Sequence, residues 1–236
     1  MAASGRANGN SESVDNYLKA ILSLGGAEHR RVTIKALADR LRVAPASVTN
    51  MLQKLSAAQA PLVEYERHGG AQLSSAGRRR ALEVVRHHRL IETFLYEVLD
   101  YPLEELHEEA ERLEHFISER FEQRIAAKLG HPRIDPHGHT IPTMDGEMPE
   151  GENAVRDSLL LADVVGDGTY SIHSIYDRDT CNLKLMETCG ITPGARLRVK
   201  KNPNTEGYSI QVGRSSRRHL LSRDVAHDIR VVRLGK

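Results

Sequence analysis

Residues 107–115 read His-Glu-Glu-Ala-Glu-Arg-Leu-Glu-His, so His107, Glu111, Glu114 and His115 fall at offsets of 0, 4, 7 and 8. On a continuous helix those offsets share one face. The helix predicted just before it carries His88 and Glu92 at i and i+4, again on one face. Two adjacent helices would then present imidazoles and carboxylates to a shared space. Imidazole with carboxylate and no thiolate suits Mn²⁺ or Fe²⁺, with Zn²⁺, Co²⁺ and Ni²⁺ chemically open. The bland alternative is a solvated charged face, which is what a single His-x-x-x-Glu pair usually is. Six candidate ligands on two facing stripes weigh against it.

A second chemistry lies upstream. Two apolar-periodic segments separated by a short turn, then two short β-type runs around His68-Gly69-Gly70, have the order of a winged helix-turn-helix. The recognition helix of that pair would run from Ala46 to about Ala57. It would offer Ser47, Thr49 and Asn50 near its N-terminus, with Gln53 and Lys54 a turn later. Short polar side chains there reach base edges and phosphates, and the Ala46 methyl suits a thymine methyl. The positive end of the helix dipole also favours phosphate. Arg67 and His68 in the wing, and Arg78-Arg79-Arg80 after it, are backbone-contact candidates. The competing reading is a protein–protein module of the same shape.

A first helix is predicted to carry Val14, Tyr17, Leu18, Ile21, Leu22 and Leu24 and to stop at Gly25-Gly26, with residues 1–12 as a disordered tail. Thr33 caps a second helix and Pro45 opens the third. Ser74 or Ser75 caps a long helix to about Leu99, Tyr101-Pro102 breaks it, and one more helix is predicted from Leu103 to about Leu129. Residues 131–156 are rich in Gly, Pro, His and Asp, without periodicity, and read as a linker. From residue 157, short β-type runs at 162–165, 170–175, 196–200, 208–212 and 229–234, with one helix near 179–189, point to a small barrel. The fold class is therefore α+β, with domains at 1–74, 75–130 and 157–236.

Charge follows the same division. Residues 1–90 hold 14 Lys/Arg against 7 Asp/Glu, and residues 91–130 hold 4 against 11, inside a chain of net charge +1. That pairing of a basic with an acidic segment fits a polyanion-binding part joined to a cation-binding part. Two cysteines make no disulfide framework. No apolar stretch reaches the length of a membrane span and the first ten residues are small and polar, so a cytoplasmic protein without a membrane partner is expected.

Taken together, these residues resemble the diphtheria toxin repressor family of iron- and manganese-dependent regulators. The resemblance runs through Asp15-Asn16-Tyr17-Leu18, Ala46-Ser47-Val48-Thr49, His88-Arg89-Leu90-Ile91-Glu92 and His107 to His115. It continues in Asp135-Pro136-His137-Gly138-His139 with Ile141-Pro142, and in Gly190-Ile191-Thr192-Pro193-Gly194. It implies a winged helix, a helical dimerisation region and an SH3-like (FeoA-type) domain. It implies a metal-activated homodimer that represses metal-uptake genes by binding a palindromic double-stranded operator, with no small-molecule substrate. An ancillary metal site would fall on His88, Glu92 and His107, with Asp179 and Asn182 as oxygen ligands from the SH3-like domain. A primary site would fall on Glu111, Glu114, His115 and Asn16. Two positions depart from the family pattern. Glu111 replaces a thiolate of the iron-type members, and Asn16 offers an amide oxygen where Met or Asp is usual, with Asp15 beside it but turned about 100° away on a helix. Lys19 also puts a cation where a manganese-type member has a further acid, which favours mononuclear sites. Two other readings remain: a metal-independent winged-helix regulator with vestigial sites, and a helical metalloenzyme, against which the absence of a nucleophile–base signature and the winged helix itself both weigh.

Overall fold

The computed structural model describes residues 4–26, 28–149, 158–176, 180–201 and 207–235. The chain divides into two compact units. One comprises Met1–His87, Glu114–Ile117 and Pro142–Met148; the other comprises His88–Leu113, Ser118–Ile141 and Pro149–Lys236.

In the first unit, α1 (Ser4–Gly25) buries Val14, Tyr17, Leu18 and Ile21. It begins well before residue 13, where the apolar spacing starts, because that spacing marks only the buried stripe and not the whole helix. Thr33 caps α2 (Ile34–Leu41), its hydroxyl accepting from Ala36 N at 3.2 Å. Pro45 occupies the first turn of α3 (Pro45–Ser56), where it forfeits no intrahelical hydrogen bond. Val48, Leu52 and Leu55 of α3 join Leu18, Ile21 and Leu37 in one core. Strands β1 (Val63–Glu66) and β2 (Gly70–Leu73) pair antiparallel, from Val63 opposite Leu73 to Glu66 opposite Gly70, and make the wing.

Helix α4 (Ser75–Leu99) is continuous, as the sequence predicts. The single helix expected from Leu103 to Leu129 is instead two, α5 (Leu103–Leu113) and α6 (Glu119–Lys128). Ser118 ends the continuity. Its backbone is extended (φ −88°, ψ 155°), its hydroxyl accepts from Phe121 N at 3.3 Å, and Glu119 and Glu122 follow in the first turn of α6. A good N-cap with acidic residues behind it starts a new helix at that point.

In the second unit Leu90, Ile125, Ala126 and Ile141 form a small core with Phe94 and Leu129. Residues 134–141, read from the sequence as part of a linker, are packed: Asp135, His137 and Ile141 are buried, and Ile134 bridges to Thr140. The SH3-like part is a six-stranded antiparallel sheet in the order β3-β8-β4-β5-β6-β7. Its strands are β3 (Leu159–Leu160), β4 (Gly168–Ile175), β5 (Arg196–Lys201), β6 (Tyr208–Val212), β7 (His219–Leu221) and β8 (Ile229–Arg233). Leu161–Asp163 form a 3₁₀ turn where a strand is expected at residues 162–165. Helices α7 (Thr180–Thr188) and α8 (Arg223–His227) complete it. Alternate strand residues Ile172, Leu197, Val199, Ile210 and Val231 fill its interior. Helix α7 packs on α5, with Lys184 Nζ 3.9 Å from Glu104 Oε1. Among the described residues no helix is long and apolar enough to cross a membrane.

Candidate metal centres and nucleic-acid interface

The second unit gathers three imidazoles about one carboxylate oxygen. Glu92 Oε1 lies 3.0 Å from His88 Nε2, 3.7 Å from His137 Nδ1 and 4.0 Å from His107 Nδ1. Helix α4 supplies His88 and Glu92 one turn apart, and α5 supplies His107, whose ring centroid is 5.0 Å from that of His88. Glu111, a turn beyond His107, places Oε1 3.8 Å from His88 Nδ1. Glu92 is only 2% exposed. Burial alone would raise its pKa, but the charge of His88, with the nearby His137 ring, outweighs this and holds the carboxyl well below the usual carboxylate range. Candidate ligand atoms of His88, Glu92 and His107 all lie within 4.8 Å of one another, and so do those of Glu92, Asp135 and His137.

Asp135 and His137 escaped the sequence reading as ligands. Asp135 Oδ1 accepts from the backbone N–H groups of His137 (2.9 Å) and His139 (2.8 Å), tying the segment into a tight turn. Its Oδ2 is buried, makes no hydrogen bond, and lies 3.5 Å from both Arg89 Nε and His139 Nδ1. Arg89 also donates to the Thr140 carbonyl, holding this turn against α4. The available signal was compositional: Asp-Pro-His-Gly-His puts three donor side chains in five residues.

Of the two oxygen ligands expected from the SH3-like domain, Asn182 sits near the start of α7 and donates to Asp228 Oδ2 at 3.0 Å. Asp179 lies outside the described residues.

In the first unit, Glu114 and His115 come after the end of α5, so they do not continue its face as the offsets imply. They turn instead to α1. Lys19 Nζ donates to both oxygens of Glu114, at 2.6 and 2.9 Å. His115 Nδ1 is 3.6 Å from Asp15 Oδ2, and its Nε2 is 3.2 Å from Glu114 Oε1. Neither ring nitrogen is in hydrogen-bond geometry, although the ring is buried. Asp15 is buried and takes a 2.6 Å bond from Arg80 Nε. Burial would raise its pKa; the nearby His115 ring, with the hydrogen bond and charge of Arg80, brings it below the ordinary value. Asn16 is half-buried. Of the two neighbours, Asp15 is the one that faces His115.

The proposed DNA-reading residues divide by exposure. Ala46, Ser47, Asn50, Gln53 and Lys54 are exposed along the outer side of α3, and Arg67 and His68 are exposed at the wing turn. Thr49 is half-buried, and its hydroxyl donates to Pro45 O at 3.1 Å, which satisfies its donor within the helix.

An exposed recognition helix with a wing, carboxylate–imidazole clusters on the following helices and an SH3-like sheet together define a winged-helix regulator of metal-responsive type. Comparison with known proteins agrees segment by segment. Residues 10–71 match the iron dependent repressor N-terminal DNA binding domain, residues 74–143 match the iron dependent repressor metal binding and dimerisation domain, and residues 159–233 match the FeoA domain. The iron-dependent repressor IdeR of Mycobacterium tuberculosis is 30% identical over 233 residues, covering 93% of this chain and 96% of its own. A manganese-dependent transcriptional repressor in complex with manganese superposes with a TM-score of 0.81 at 35% identity, over 94% of this chain and 100% of that one. ScaR with bound Zn²⁺ superposes with a TM-score of 0.72 at 32% identity, over 94% and 99%. The chain belongs to the iron-dependent repressor family, which includes the diphtheria toxin repressors.

Proposed function

We propose that this chain is a cytoplasmic, metal-activated transcriptional repressor that binds a palindromic operator as a homodimer and controls metal-uptake genes. The observation that carries the reading is the convergence of His88, His107 and His137 on the buried Glu92 carboxylate, in a chain whose first unit is a winged helix with an exposed recognition face. Membership of a family of DNA-binding repressors makes it a regulator and not an enzyme.

Two groups of residues suit a divalent cation. In the second unit these are His88, Glu92 and His107, joined by Asp135 and His137, with Glu111 beside His88. In the first unit they are Glu114, His115 and the α1 residues Asp15 and Asn16. The fit rests on donor chemistry and on two buried groups that make no hydrogen bond, Asp135 Oδ2 and the His115 ring. Carboxylate oxygen and imidazole without thiolate suit Mn²⁺ and Fe²⁺ alike. When bound, the cation supplies positive charge that offsets the cost of burying these carboxylates. Asp15 or Asn16 and His115 tie α1 to the turn that follows α5, and α1 packs on α2 and β2. Ordering α1 therefore orders the frame that carries α3. In a two-fold dimer the two α3 helices enter successive major-groove faces, with Ser47, Asn50, Gln53 and Lys54 on bases and phosphates and Arg67 and His68 on the backbone.

The test is operator binding by chelator-stripped protein, titrated with Mn²⁺ and then with Fe²⁺ under anaerobic conditions. Metal should tighten binding at least tenfold, about 1.4 kcal/mol of coupling. A second reading, a metal-independent winged-helix regulator, is favoured by one observation: Lys19 and Arg80 already neutralise Glu114 and Asp15. Equal operator affinity with and without metal would establish it and overturn the first.

A further inference from the structure

The sequence places a second basic concentration far from the winged helix. Residues 190–236 hold eleven Lys/Arg and three Asp/Glu, a net charge of +8 in 47 residues, against +7 in the first 90. Strands β4 to β8 contain no acidic residue. On β5 the alternation sends Leu197 and Val199 inward and leaves Arg196, Arg198 and Lys200 exposed. The register sets Arg198 opposite Gln211 and Lys200 opposite Ser209 on β6. Arg218, just before β7, closes the group. Arg198, Lys200, Ser209, Gln211 and Arg218 line a depression of about 270 Å³. None of the three cations has an acidic partner among the described residues.

Like charges on one sheet face repel one another, and an anion between them relieves that repulsion. Some exposed cations of this chain are paired, as Arg30 is with Glu28 and Arg112 with Glu108; Arg198, Lys200 and Arg218 instead share one concave face. Three unpaired cations around a concavity with a hydroxyl and an amide form a site for phosphate oxygens.

We propose that this outer face of the SH3-like sheet, centred on Arg198, Lys200 and Arg218, binds the phosphodiester backbone of duplex DNA as a second, sequence-independent contact. The proposal rests on the DNA-binding reading above and extends it. Duplex DNA is the polyanion this chain already addresses through its first unit. A weak phosphate contact on a tethered module raises overall affinity through effective concentration, without adding sequence preference. The recognition helix then specifies, and the SH3-like face holds.

The experiment uses the full chain with saturating Mn²⁺ and measures binding of operator and scrambled duplex between about 50 and 200 mM salt, the range over which phosphate contacts reveal themselves. The R198Q/K200Q/R218Q variant should lose affinity for both duplexes by the same factor, about tenfold at the low-salt end. Its log–log salt slope should fall by about 2 to 3 per protomer, close to one for each phosphate contact removed. The charge-conserving R198K/R218K variant should keep the wild-type slope. N50A should weaken operator binding by a larger factor than scrambled-duplex binding, unlike the equal losses of the triple variant, which separates the two contacts. Unchanged affinity and slope in the triple variant overturn the proposal while leaving the repressor reading intact; this is also the result if the face serves a phosphopeptide or a free nucleotide. A loss in R198K/R218K equal to that of the triple variant also overturns it, because the effect would then be structural. Absence of DNA binding by the metal-loaded wild type overturns both readings.

Discussion

If the first-unit cluster holds a metal as proposed, the Lys19–Glu114 pair sets how readily it does so. Glu114 is fully buried at its side chain, and the Lys19 ammonium bonds both its oxygens. Arg80 does the same for Asp15 at one oxygen. The chain thus carries its own cations where a divalent ion would sit, and a metal has to displace at least the lysine. Removing one partner of a buried pair leaves an uncompensated charge, at a cost of about 3–5 kcal/mol. Lys19→Met should therefore lower the melting temperature of the chelator-stripped protein markedly. Mn²⁺ should restore most of the loss, and Mn²⁺ affinity should rise at least tenfold over wild type. Calorimetric titration and thermal melts with and without metal check both halves; unchanged Mn²⁺ affinity would remove Glu114 from the ligand set. At this scale much was legible, because His88, Glu92, His107, Glu114 and His115 announce themselves by type and spacing. The placement of Asp15 beside His115 was not. It depends on Arg80, 65 residues away in sequence, and on the direction from which His115 approaches.

Among the elements, the non-repetitive turn at 135–139 is the least ordinary part of the second-unit site. Asp135 binds two backbone N–H groups of the turn, and Gly138 has φ +89°. A Cβ built on Gly138 would lie 2.3 Å from the His173 carbonyl oxygen, so the turn packs directly on β4. Gly138→Ala therefore meets both a left-handed backbone and a backbone clash, each worth about 1–3 kcal/mol. The variant should melt lower, and it should lose second-unit metal binding while Glu114 and His115 keep theirs, read as metal stoichiometry on a desalted sample. Loss of neither would mean that His137 is not held by this turn. The winged helix was legible nearly residue by residue, since Thr33, Pro45 and the Gly69-Gly70 turn are local signals that tertiary contacts reinforce. The break between α5 and α6 was not. The charged run from Glu104 to Glu122 continues helical spacing through it, and only the Ser118 cap marks the stop. That miss matters, because it takes Glu114 and His115 off the α5 face and brings them against α1.

At the scale of the whole molecule, metal and DNA are two ligands of one chain, and thermodynamics ties them together. If metal favours the DNA-competent arrangement by some factor, operator DNA must raise metal affinity by that same factor. Charge alone argues in this direction only weakly, since basic and acidic segments cancel to a net +1. The coupling has to come from contacts that differ between arrangements, such as Lys19 leaving Glu114. Mn²⁺ affinity should therefore be measured by chelator competition in three states: protein alone, protein with saturating operator, and protein with saturating scrambled duplex. A tenfold tightening of operator binding by metal predicts a tenfold gain in Mn²⁺ affinity with operator, about 1.4 kcal/mol. The gain with scrambled duplex should be smaller, because a contact to phosphates alone selects less strongly among arrangements of the recognition helices. The Lys19→Met protein, with its competing cation gone, should bind metal tightly with or without DNA and show a reduced gain. Identical Mn²⁺ affinity in all three states would make these clusters structural metal sites, and metal would then have no part in the choice between free and DNA-bound protein.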